Sequence, residues 1–81
     1  MWEDVAFIKQ SKTAIEILKR LDEPRTPSEI ARQLNLHQQS VSSTLAKLLE
    51  RDLVECITPK RHNYRHYKIT TTGTKLLSTL K

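Results

Sequence analysis

The sequence predicts a mainly α chain with one small β-hairpin, an α+β fold in the order helix, helix, helix, strand, strand, helix. Three observations predict it. The first is a pair of apolar helical patterns separated only by the short stretch "NLH" at 35–37; two helices joined by so short a turn make a helix-turn-helix. The second is a pair of alternating segments, "LVECIT" and "YRHYKIT", on either side of a turn led by Pro59. The third is a closing apolar stripe of Leu76, Leu77 and Leu80 after "TTTG". Together they describe a winged helix-turn-helix.

Each element has a local reason. Over 1–10, Trp2, Val5, Phe7 and Ile8 suggest a short helix or an extended arm. Ala14, Ile15, Ile17, Leu18 and Leu21 then form a broad helical stripe, with Ser11 as its N-cap and the Pro24 region as its end. In "TPSE", Thr26 caps, Pro27 fits the first helical position and Glu29 completes a capping box. Ile30, Ala31 and Leu34 point inward from that helix. Asn35 tolerates the left-handed conformation that ends a helix, and Leu36 is placed to plug the core from the turn. The next helix spans about 37–51. In the second strand Tyr67 and Ile69 share one face, with His66 and Lys68 on the other; Cys56 faces inward from the first. The last helix falls within 71–81, and the whole of 1–81 reads as a single domain.

The helix over 37–51 has an unusual outer face. Val41, Leu45 and Leu48 repeat at the i, i+4, i+7 spacing of a buried stripe. Opposite them stand Gln39, Ser42, Ser43, Ala46 and Lys47 instead of the usual pairs of Glu and Lys. Glutamine and serine are uncharged and both donate and accept hydrogen bonds, which is what a helix needs in order to read base edges in a major groove. Gln38, Gln39 and Ser40 stand in its first turn, Ser42 and Ser43 follow, and Ala46 allows close approach. Lys47 and Arg51 are placed to reach phosphates.

Charge points the same way. Through Glu55 the chain carries eight Lys and Arg against nine acids, a sum of −1; residues 56–81 carry six Lys and Arg and no acid, a sum of +6. A pI near 9.7 with its excess in one folded third of the chain is the footprint of a polyanion-binding surface. Lys60, Arg61, His62 and Asn63, with Arg65, would form the wing over 58–66, lying along the DNA backbone or in the minor groove.

The stretch from "TPSEIARQLNLHQQSVSSTLAKLLERDLVEC" to "YRHYKITTTGTKLL" resembles small winged-helix transcription regulators of the arsenic-repressor (ArsR) and multiple-antibiotic-resistance-regulator (MarR) groups. It is most similar to their short stand-alone archaeal members, over residues 11–80. The resemblance implies sequence-specific binding of double-stranded DNA in transcription regulation. Four positions depart from the pattern: Asn35 and Tyr64 stand where Gly is frequent, His37 replaces a Ser cap, and Ser43 replaces an Arg.

Other chemistries find little support. His37, His62, His66 and Cys56 match no metal-ligand spacing, and no carboxylate follows Glu55 to build a metal-dependent nuclease. No enzyme activity, cofactor or metal is expected. No apolar run approaches the roughly 18 residues of a membrane span, and a single Cys fits a reducing compartment. A soluble, cytoplasmic protein is expected. The competing functions are a winged-helix protein-interaction module of the transcription machinery and a binder of double-stranded RNA. The apolar ends, Trp2, Val5, Phe7 and Ile8 with Leu76, Leu77 and Leu80, are expected to form the contact of a homodimer.

Overall fold

Capping chemistry sets where the helices begin and end. The computed structural model describes residues 2–58, 60 and 65–80. The N-terminal segment is a helix rather than an arm: α1 (Trp2–Lys9) carries Glu3 and Asp4 in its first turn and Lys9 in its last, complementing the helix dipole. α2 (Lys12–Arg20) starts where the Ser11 hydroxyl accepts from the Ala14 N–H at 3.1 Å. α3 (Pro27–Leu34) opens on a complete capping box. The Glu29 N–H donates to Thr26 Oγ1 at 3.2 Å, and the Thr26 N–H donates to Glu29 Oε1 at 2.9 Å. Those bonds from the Thr26 backbone and then its hydroxyl hold the Glu29 carboxyl below its ordinary pKa.

The turn after α3 departs from expectation in one respect. Asn35 is left-handed at φ 56, and the Leu36 N–H closes the helix on the Ala31 carbonyl at 2.8 Å. The Leu36 side chain, however, is 37% exposed and does not plug the core. The turn uses its backbone, while Ile30, Ala31 and Val41 already occupy the interior beside it. α4 (Gln38–Glu50) follows, with His37 as an N-cap that makes no side-chain bond.

A second left-handed residue, Asp52 at φ 60, ends α4 in the same way, with the Leu53 N–H on the Leu48 carbonyl at 3.0 Å. Here the following leucine is fully buried. β1 (Val54–Cys56) pairs antiparallel with β2 (Tyr67–Ile69) in the register Val54↔Ile69, Glu55↔Lys68, Cys56↔Tyr67. Cys56 is half-buried. The sequence reading lacks a third rung: β2 also pairs with the α2–α3 loop through Arg25 and Tyr67, whose backbones exchange bonds of 3.0 and 2.9 Å.

α5 (Thr71–Thr79) is tied to this junction by one residue. Thr70 Oγ1 accepts from the Gly73 N–H at 3.0 Å and donates to the Asp52 carbonyl at 2.6 Å. Gly73 permits the close approach, since a Cβ there would collide with the Leu53 carbonyl oxygen and sit 2.7 Å from Ile69 Cγ1. The core gathers residues from all five helices and β1: Val5, Ile8, Ile17, Leu18, Ile30, Leu45, Leu48, Val54 and Leu76 are buried in it. This corrects part of the expected dimer contact. Val5, Ile8 and Leu76, at 8%, 0% and 1% exposure, are spent on the chain's own core. Phe7, Leu77 and Leu80 pack on that core while remaining partly accessible.

Candidate nucleic-acid interface

α4 is the second helix of the helix-turn-helix and presents two unlike faces. Val41, Leu45 and Leu48 fix its inner face in the core. That anchoring leaves Gln38, Gln39, Ser40, Ser42, Ser43, Ala46 and Lys47 all exposed. Within the described residues no hydrogen bond or ion pair engages the side chains of Gln38, Gln39, Ser42, Ser43 or Lys47. Thr44, at the flank, turns its hydroxyl back onto the Ser40 carbonyl at 3.0 Å. The outer face is thus a set of small or flexible groups with open donors and acceptors, and nothing bulkier than glutamine stands at the start of the helix. Such a surface can form paired hydrogen bonds to base edges.

The structure places Gln38, Gln39, Ser40, Ser42, Ser43 and Lys47 on one helix, all of them exposed. Of the wing residues, Lys60 and Arg65 are exposed at the two ends of the hairpin connection. Arg61, His62 and Asn63, with Pro59 and Tyr64, lie outside the described residues. The base of that connection is closed by the His66 N–H on Thr58 Oγ1 at 2.9 Å and the Ile57 N–H on the His66 carbonyl at 2.9 Å. Lys68 and Lys75 add exposed cations beyond it.

Arg51 departs from the sequence reading. The sequence groups it with Lys47 as a phosphate-reaching cation. In the structure its guanidinium Nη1 lies 3.0 Å from Asp4 Oδ1 and its Cζ sits 4.3 Å from the centroid of the Phe7 ring. Sequence reasoning misses this pair because its members lie 47 positions apart. Arg25 is likewise engaged, donating from Nε to the Arg20 carbonyl at 2.7 Å.

One other concavity stands out, an apolar groove of about 710 Å³ between α2, β2 and α5, with Ile15, Leu18, Ile69, Leu77 and Leu80 in its walls. Among the described residues no three His, Cys, Asp or Glu side chains gather as a metal-binding set, and no helix is long and apolar enough to cross a membrane.

Solved structures share this architecture. The transcriptional regulator BldR from Sulfolobus solfataricus superposes with a TM-score of 0.77 at 27% identity, over 85% of this chain and 51% of that one. A MarR family regulator from Neisseria meningitidis gives 0.77 at 23% identity, over 93% and 57%. A transcriptional regulator from Thermotoga maritima gives 0.78 at 14% identity, over 96% and 56%. The chain therefore spans about half the length of these proteins, and its fold is the winged helix of MarR-like regulators. No curated protein matches it. The family described as the helix-turn-helix domain matches residues 11–57, more than half of the chain. With its capped α3, its left-handed Asn35 and its anchored α4 all inside that span, the chain belongs to the helix-turn-helix domain family.

Proposed function

We propose that the chain binds double-stranded DNA sequence-specifically as a transcription regulator, with residues 1–81 acting as one DNA-binding domain. α4 enters the major groove, where Gln38, Gln39, Ser40, Ser42 and Ser43 face the base edges and Lys47 meets the backbone. The basic hairpin connection, with Lys60, Arg61, His62, Asn63 and Arg65, lies along phosphates or in the minor groove. The observation that carries this reading is the exposed outer face of α4, glutamines and serines with open donors and acceptors followed by Lys47, on the second helix of a helix-turn-helix. Neither an apolar patch for a protein partner nor a ligand set for catalysis explains that choice of residues.

The finer kinship, with short stand-alone archaeal regulators of the ArsR and MarR groups, and a cytoplasmic location belong to the same proposal. So does a homodimer on a two-part DNA site, since twofold pairing doubles a limited contact. The burial of Val5, Ile8 and Leu76 shifts its contact to the surface that stays accessible, Leu77 and Leu80 beside the apolar groove.

Sequence choice and general affinity should separate by mutation. Gln39→Ala is expected to cost about 1–3 kcal/mol on the preferred site and to relax the choice at one base pair. Lys60→Ala is expected to weaken every duplex alike and to flatten the salt dependence. Selection from random duplexes, followed by titration of each variant, reads both. A Lys60→Ala variant that changed sequence preference while Gln39→Ala did not would contradict the assignment.

A further inference from the structure

The Asp4–Arg51 pair ties the C-terminal end of α4 to α1. Arg51 is the C-cap of α4 and follows Lys47 by one helical turn, so the two emerge on the same flank of the helix. Lys47 is exposed and, among the described residues, unengaged. Arg51 instead is drawn onto α1, its side chain 35% exposed, between the Asp4 carboxylate at 3.0 Å and the Phe7 ring at 4.3 Å. Val5 and Ile8 bury the same helix in the core, so α1 holds this socket in place.

We propose that Asp4 is a brake on non-specific DNA affinity, holding Arg51 away from the phosphate backbone at the far end of the reading helix. The inference rests on the DNA-binding function proposed above. Arginine binds phosphate more tightly than lysine does because its planar fork forms two parallel bonds. A free Arg51 one turn beyond Lys47 would add a contact that carries no sequence information and would strengthen binding to every duplex. Pairing with Asp4 cancels its charge, and stacking on Phe7 fixes its direction. The two side chains are 35% and 20% exposed, so solvent screens the pair in part, and a neutral residue at position 4 removes the ionic hold on the guanidinium.

The experiment is a cycle of four proteins: the unaltered chain, Asp4→Asn, Arg51→Gln and the double variant. Each is titrated against a duplex of mixed sequence at several salt concentrations, with circular dichroism confirming the fold. Asp4→Asn is expected to bind more tightly and to steepen the slope of log K against log salt by about one, so that raising salt fourfold costs it about 3.5-fold more affinity than the unaltered chain loses. In the Arg51→Gln background the same change should leave the slope unaltered. Equal gains in both backgrounds would show that Asp4 acts only through the general field, and no gain in either would also overturn the brake. If Asp4→Asn unfolds, Asp4→Ser takes its place in the cycle. An unaltered chain that binds duplex with the expected salt dependence while Asp4→Asn changes nothing overturns this inference alone. An unaltered chain that binds no duplex overturns the DNA-binding function and the brake with it.

Discussion

Raising salt from about 50 to about 200 mM is expected to weaken binding to duplex DNA about a thousandfold. Lys60, Arg65 and Lys68 are exposed cations within residues 56–81, which carry the positive excess, and Lys47 is exposed on α4. If a dimer neutralises about six phosphates, the released counterions give a slope of log K against log salt near −5. Fluorescence anisotropy of a labelled duplex across a salt series measures it. A slope shallower than about −2 would contradict a phosphate-driven contact and favour a protein-interaction module. Competition with an RNA duplex would then separate DNA from double-stranded RNA, because phosphate contacts alone do not distinguish them.

The second large effect separates the core from the proposed dimer contact within one helix. Leu76 is 1% exposed, whereas Leu80 is only partly buried against the core. Leu76→Glu forces a carboxylate into a site that excludes water and deletes a packed leucine. The packing loss alone amounts to about 2–5 kcal/mol, and the charge adds to it. A domain of this size has a total stability of roughly 4–12 kcal/mol, at about 0.05–0.15 kcal/mol per residue. Leu76→Glu is therefore expected to leave the chain largely unfolded. Leu80→Glu can turn its carboxylate to solvent, and is expected to stay folded while weakening self-association. Urea unfolding and sedimentation velocity of the two variants measure this. A folded, stable Leu76→Glu protein would contradict the packing of α5, and an unaltered chain that is monomeric at micromolar concentration would contradict the dimer.

What the sequence made legible was whatever is decided within a few residues. The Thr26–Glu29 capping box, Ser11 as a cap, Asn35 in the left-handed region and the uncapped start of α4 at His37 all depend on neighbours three or four positions away. The hydrogen-bonding face of α4 was readable for the same reason, because helical spacing alone puts Gln39, Ser43 and Lys47 opposite Val41, Leu45 and Leu48. Contacts closed by distant segments were not readable. Arg51 carries no sign in its own neighbourhood that Asp4 and Phe7 will claim it, and the pairing of Arg25 with Tyr67 joins segments 42 positions apart in the numbering. Leu36 and Leu53 show the limit clearly. Both follow a left-handed helix end, yet Leu53 is fully buried, at the junction where Thr70 and Gly73 meet its backbone, while Leu36 is 37% exposed.

Contact between the outer face of α4 and duplex DNA is measured by following backbone amide resonances as a duplex of about 20 base pairs, long enough for two half-sites one helical turn apart, is added. The largest changes are expected from Gln38 to Lys47, with a second group at Lys60 and Arg65. Changes confined to the groove walls of Ile15, Leu77 and Leu80, with the amides of α4 unmoved, would contradict it.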